Sequence, residues 1–231
     1  MKAELITHMG DDLLVVNAAR VSFDKASSYE PEALCPTDEQ GGKIPPYNRL
    51  KEQDKRLLNY LAKHNHWTPF SHPHICMRET VPIFVARQRF KHMVGFTYNE
   101  VSRRYVDDEP EFYDLYPLRN RPDGSVKQGS GSTIGMDGQT ALCSLIDSLN
   151  AKSLRTYSYL LESNVAPEQA RAVLPQSMYT SYYVTGSLAA WARAYKQRID
   201  AHAQVEIQDL AKQWDEVIKP LFPESWKVLT S

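Results

Sequence analysis

Nineteen consecutive residues, Arg87 to Tyr105, hold five Arg or Lys, one His and four aromatics. A guanidinium pairs bidentately with phosphate and an aromatic ring stacks on a base, so this mixture suits a phosphate joined to a flat ring, and a nucleotide is the natural small ligand. The alternative is a solvated basic turn, since charge runs often only cover a surface. Glu100 and Ser102 tilt the reading toward binding, because an acceptor and a hydroxyl beside Arg103 and Arg104 supply hydrogen bonds that a solvating face does not require. Further along, Trp191, Ala194 or Tyr195, and Arg198 share one face at helical spacing, which brings a guanidinium into an apolar stripe. Burying that charge is costly unless it is paired. An arginine that merely snorkels from a helix end is the alternative there, and Arg171 is read with the same reserve.

Other clusters carry less. His64, His66, His72 and His74 surround Trp67-Thr68-Pro69-Phe70-Ser71, but no HExxH helix or Cys partner accompanies them and a proline loop breaks the geometry, so no metal site is expected. Cys35, Cys76 and Cys143 are an odd number without CxxC spacing, which points to reduced, structural thiols. Cys35 has no nearby basic group to lower its thiol pKa and is read as inert. Neither GxGxxG after a strand nor GxxxxGK[ST] is present.

The elements that must position these groups follow from periodicity and turn chemistry. Ala3 to Thr7 reads as a strand, Asp11 to Val21 as a short helix, and Ser27 to Pro46 as a long loop of Pro, Gly, Ser and acidic residues. Leu50, Leu57, Leu58 and Leu61 make an amphipathic helix within Tyr47 to Asn65, Ile75 to Val81 a strand, and Pro82 opens a helix from Ile83 to His92. A second long loop, Asp107 to Gly138, is read as an insertion. After it, Leu142, Leu145, Ile146 and Leu149, continued by Leu154, Tyr157, Leu160 and Leu161, define a long helix or helix pair. Pro167 to Leu174 is a short helix stopped by Pro175, Met178 to Thr185 a strand, and Ser187 to Ile199 and His202 to Leu221 two closing helices.

With 231 residues, a single domain spanning 1–231 is expected. Its 27 Lys or Arg against 28 Asp or Glu leave a net charge of −1, which excludes polybasic binding of nucleic acid through bulk charge. Hydrophobic residues at 42% and charged residues at 24% exclude disorder and fibrous repeats. No apolar run reaches the roughly 18 residues of a membrane span, and the opening residues lack a secretion signal, so a cytoplasmic protein with no membrane partner is expected.

Taken together the motifs resemble the flavin-dependent thymidylate synthases. The resemblance rests on Pro82-Ile83-Phe84-Val85-Ala86-Arg87-Gln88, closed by Asn99-Glu100-Val101-Ser102-Arg103-Arg104-Tyr105. It extends to Asn17-Ala18-Ala19-Arg20-Val21-Ser22, to His66-Trp67-Thr68-Pro69-Phe70-Ser71-His72, to Ala170-Arg171-Ala172-Val173-Leu174-Pro175, and to the block from Arg198 to Ile207. It implies an α/β (α+β) fold, a curved, mostly antiparallel sheet flanked by helices, assembled as a homotetramer with shared active sites. Carried over residue by residue, Gln88, Arg89, Phe90, Lys91, Glu100, Val101, Ser102, Arg103, Arg104 and Arg171 would bind dUMP. Arg198 would be the catalytic group, favouring deprotonated uracil. His66, Thr68, Lys91, His92, Met93, Glu100, Ser187, Leu188, Ala189 and Arg193 would bind FAD, with His66 also near folate.

The implied activity is reductive methylation of dUMP to dTMP. NADPH and methylenetetrahydrofolate would be co-substrates, and no enzyme thiol would be needed. Lys91-His92-Met93 stands where the family usually has Arg-His-Arg, Ser187 and Arg193 where asparagines are common, and Ser71 where a glutamate is usual. Lysine still meets a phosphate as a point charge, Met93 cannot replace a guanidinium fork, and Arg193 could restore the lost charge. The altered segment motivates a neighbouring reading in which water captures the transferred carbon to give 5-hydroxymethyl-dUMP. A more distant one is a non-catalytic nucleotide- or single-strand-binding module.

Overall fold

Alternation along one strand sets the architecture. In β2 (His74–Pro82) Ile75, Met77, Glu79 and Val81 are all fully buried while the residues between them are more exposed, as the two-residue period of a strand requires. A computed structural model of the chain, which describes residues 1–30, 49–106, 108–124 and 128–231, places β2 in a four-stranded sheet with β1 (Lys2–Met9), β3 (Phe96–Glu100) and β4 (Tyr179–Ser187). The order is β1-β2-β4-β3 and every pairing is antiparallel. In the central pair His74 lies opposite Ser187 and Pro82 opposite Tyr179, which sets Glu79 opposite Tyr182. The edge strand β1 shifts register between Leu5 and Thr7.

Helices cover the buried face. In α6 (Leu188–Arg198), Leu188, Ala190, Trp191, Ala192 and Ala194 are buried; in α7 (Val205–Ile218) the buried stripe is Ile207, Leu210, Ala211, Trp214 and Ile218. Trp191 spans helix and sheet, its indole N–H donating to the carbonyl of Ile75 at 3.2 Å. The same core cluster takes in Val15 and Val16 of α1 (Asp12–Arg20), Leu58 and Leu61 of α2 (Glu52–Lys63), and Val85 and Ala86 of α3 (Ile83–Arg89). At about 25 cal/mol per Å² of apolar surface removed from water, this cluster is the main force holding helices to sheet.

Most sequence expectations match these elements; one open alternative is decided and three differ. The stretch from Leu142 to Leu161 belongs to one unbroken helix, α4 (Met136–Glu162), because no Gly or Pro interrupts it after Gly138. The segment Pro167 to Leu174 divides into α5 (Pro167–Ala170) and a 3-10 turn, Arg171–Val173. The last helix ends at Ile218, two residues before Pro220, and Pro223 opens a separate α8 (Pro223–Thr230). Strand β3 was hidden inside the basic aromatic stretch. Gly95 turns the chain into it with φ +80°, and Phe96 and Tyr98 then alternate inward against exposed Thr97 and Asn99. Most of the expected loop from Ser27 to Pro46, with Cys35, lies outside the described residues, as do Tyr47, Asp107 and residues 125–127.

One buried carboxylate ties the two ends of the chain together. Asp12 accepts backbone N–H bonds from Glu224 and Ser225, both at 2.9 Å, and so satisfies the first turn of α8 from a distant helix. Replacing Asp12 with Ala leaves those amides unpaired in a buried setting, and a loss of about 1–2 kcal/mol is expected in chemical denaturation. An unchanged midpoint would contradict this capping role.

Candidate active site

Proline at the last position of β2 ends the ladder and starts α3, whose final turn carries Gln88 into a short bend of Phe90, Lys91 and His92 before Gly95 and β3. Arg198 closes α6 and faces that bend. Its Nε donates to His92 Nε2 at 2.8 Å, and a terminal nitrogen donates to the carbonyl of Gln88 at 3.1 Å. Both partners are neutral, and among the described residues no carboxylate lies within ion-pair distance of Arg198. Burial, and then the charge of Arg89, push its proton affinity below that of a free guanidinium, which still leaves it a cation at neutral pH. The half-buried charge therefore stays available for an anionic ligand.

His92 is only 8% exposed. Burial, followed by the charges of Arg198, Arg89 and Arg193, pushes its pKa down to about 4, so the ring is neutral at physiological pH. Acceptance at Nε2 places its proton on Nδ1. Behind the bend, Gln88 donates to Gln204, Gln204 donates to Glu206, and Glu206 accepts from Arg119. This chain pins the Gln88 side chain from the far end of α7 and the long loop.

The structure joins Gln88, His92 and Arg198 directly. The other nucleotide candidates follow β3: Glu100 accepts from Thr180 Oγ1 at 2.7 Å, and Val101 donates its amide to Ser181 at 2.9 Å. Ser102 Oγ accepts from the Arg104 amide and Nε, both at 3.4 Å, while Arg103 donates to the carbonyl of Asp108. Arg171 stands exposed at the turn after α5, and no hydrogen bond among the described residues links it to either group. Lys91 is exposed, whereas Phe90 packs its ring against Tyr98 and Tyr182. Arg89 departs from expectation. It was grouped with the substrate contacts, yet its side chain is 0% exposed and turns into the core toward Glu79. The helical period decides this, since Val85, Ala86 and Arg89 occupy the buried face of α3.

A cleft of about 1120 Å³ opens beside Gly95 and the start of α6. Of the expected flavin residues Ser187, Ala189 and Arg193 line it, together with Ser71, Trp67 and Lys196. His66 and Thr68 line a smaller neighbouring cleft of about 390 Å³, and Asn65 and Trp67 border both. Ser187 also caps α6, its Oγ accepting from the Ala190 amide. Arg193 crosses to the carbonyl of Val94 and so fastens α6 to the bend. Leu188, expected at the flavin, is fully buried, so its side chain serves the core; Met93 is exposed. A large cleft holding a flat indole, a guanidinium and an ammonium suits a planar ring that carries phosphates. Among the described residues no three His, Cys, Asp or Glu come together as metal ligands; His64 and His66 pack on Tyr60 instead.

Several participants escaped the sequence reading. Lys196 and Trp67 border the cleft, and Trp67 was visible beside Thr68. Gln204 and Glu206 belong to the block after Arg198, whereas Arg119 sits in a loop that gave no signal. Glu79 had a signal, as a carboxylate at an inward position of a strand that is otherwise apolar on that face.

The family model for thymidylate synthase complementing proteins matches residues 4–224, and the chain belongs to that family. A protein of Thermosipho africanus named flavin-dependent thymidylate synthase is 38% identical over 95% of this chain and 86% of its own length. One of the same name from Thermus thermophilus is 31% identical over 96% and 73%. The UMP/dUMP methylase PolB from Streptomyces cacaoi, solved with 5-Br dUMP, superposes with a TM-score of 0.78 at 26% identity, covering 99% of this chain and 94% of that one.

The state of His92 has a consequence for stability. Its folded pKa of about 4 lies below the ordinary 6.5, so between those values the unfolded chain binds more protons. Stability is then complete above pH 6.5 and falls as the pH drops toward 4. In His92→Gln, which keeps an acceptor near the Nε2 position and cannot titrate, that part of the acid dependence is expected to vanish. Superimposable pH–stability curves for the two proteins would contradict it.

Proposed function

We propose that this protein methylates dUMP to dTMP, with methylenetetrahydrofolate as carbon donor and NADPH-reduced FAD as reductant. The observation that carries the reading is Arg198, a half-buried cation held by two neutral acceptors and, among the described residues, by no carboxylate. A guanidinium so placed stabilises negative charge on a ring such as deprotonated uracil, and this kind of preorganised charge is usually the largest single contribution to a rate. The names of the relatives and the nucleotide bound to the structural neighbour support the same substrate class. Gln88, Glu100, Ser102, Arg103, Arg104 and Arg171 would bind the nucleotide. Ser187, Ala189, Arg193, His66 and Thr68 would hold the flavin, which supplies electrons when bound while the protein supplies orientation and charge.

Self-association belongs to the same reading. Leu145 is 68% and Leu149 60% exposed on α4, a 27-residue helix in which only Gln139 and Tyr157 are buried. An apolar helix face left open to this degree is suited to a second copy, and the homotetramer implied by the family resemblance would cover it. Sedimentation velocity is expected to give the mass of four chains; a single-chain mass would exclude this assembly.

The reaction is tested by mass analysis of the nucleotide formed from dUMP, FAD, NADPH and methylenetetrahydrofolate, with the visible spectrum of the protein recorded alongside. A flavin spectrum and dTMP are expected. A product heavier by one oxygen would instead favour 5-hydroxymethyl-dUMP. A parallel reaction with UMP checks the second nucleotide named for the structural neighbour. In Arg198→Ala, turnover is expected to fall by about 10²–10³ with little loss of stability. Near-normal turnover in that variant would remove Arg198 from the chemistry.

A further inference from the structure

We propose that Arg89, buried with Glu79 beneath the site, is a positioning residue that aims Arg198 through Tyr98 and His92. The proposal rests on the reading of Arg198 given above and adds a component that reading does not require. Arg89 and Glu79 are both 0% exposed, and Arg89 Nε lies 3.2 Å from each carboxylate oxygen. Arg89 then donates through a terminal nitrogen to the Tyr98 hydroxyl at 2.6 Å, and Tyr98 donates to the carbonyl of His92 at 2.6 Å. His92 in turn accepts from Arg198 at 2.8 Å. The series runs from a carboxylate in the sheet to the Arg198 guanidinium, passing within His92 from its backbone carbonyl to its ring.

Each link has a physical cause. Burial pushes the Tyr98 pKa up to about 12, so the hydroxyl keeps the proton it donates. Glu79 is also fixed by Tyr182, whose hydroxyl donates to it from directly across the β2–β4 pair. The second terminal nitrogen of Arg89 has no hydrogen-bond partner among the described residues, and the guanidinium instead lies 4.4 Å from the ring centre of Phe96 and 4.8 Å from those of Trp191 and Trp214. Held on all sides, Arg89 has one orientation. Its fixed charge also acts on His92 at short range, together with Arg198 and Arg193, and favours the neutral ring that can accept from Arg198. An ion pair required only for stability has no need of a hydrogen-bonded path to the site, and buried pairs are often replaceable by apolar residues without loss of stability.

That replaceability provides the test. In full-length Glu79→Leu/Arg89→Met, thermal unfolding is expected to stay within a few degrees of the parent. The value of kcat is expected to fall at least tenfold while KM for dUMP changes less, and the pKa of His92, followed by NMR titration, to rise. A folded double variant with parental kcat and an unmoved His92 titration would overturn the proposal. Should the double variant fail to fold, Tyr98→Phe keeps the ion pair and cuts only the hydroxyl link. A several-fold loss of kcat is expected there, and parental kcat would overturn the proposal equally. The His92 titration does not depend on turnover, so it separates failure of this link from failure of the dUMP reading, which Arg198→Ala addresses.

Discussion

The ion pair of Glu79 and Arg89 is the constraint around which the rest is arranged. Two charges without solvent exposure cost several kcal/mol each unless their partners are complete. Completing them draws on β2, β3, β4, α3, α6 and α7, through Glu79, Tyr98, Tyr182, Arg89 and the rings of Phe96, Trp191 and Trp214. Slipping any of these strands by one residue would turn a partner to the opposite face and strand a charge in the core. The pair thus adds its own penalty against a register slip to that of the apolar packing.

The same arrangement explains why Gln88, His92 and Arg198 come together. Arg89 ends α3 and Arg198 ends α6, so the bend after the first and the last turn of the second meet above the buried pair. Like charges there would repel. Glu79 offsets one of them, and the neutral ring of His92 separates the other from it, leaving Arg198 a cation with no carboxylate partner among the described residues. Gly95 permits the tight passage from bend to β3, since a Cβ at that position would lie 2.8 Å from Ala190, and Gly186 gives way to the Phe96 ring in the same manner.

Much of this was legible in the residues, for identifiable reasons. Strands β2 and β4 and helices α2, α6 and α7 have long periodic patterns that follow from burial on one face, which sequence alone displays. Arg198 stood out because a charge on an apolar stripe contradicts the pattern around it. Strand β3 did not, because its five residues lie in a stretch whose charges mask a weak alternation. Arg89 was assigned by type rather than by face: an arginine in a basic run suggests phosphate, and only the helical phase set by Val85 and Ala86 shows that it points inward. Arg119 was invisible, since its contact with Glu206 spans 87 positions of sequence and depends on where a loop happens to lie.

The departures from the family pattern acquire a common physical setting. Lys91 and Met93 stand where the resemblance implies two guanidinium forks; a lysine meets phosphate only as a point charge and a methionine offers it no donor. Arg193 stands one helical turn from Ala189 on the cleft side of α6 and donates to the carbonyl of Val94, directly after Met93. Arg193 and, on the same helix, Lys196 thus bring positive charge to the cleft from α6. A guanidinium anchored on a helix is held more rigidly than one on an exposed bend, so Arg193 would have less freedom to lose on meeting a phosphate here.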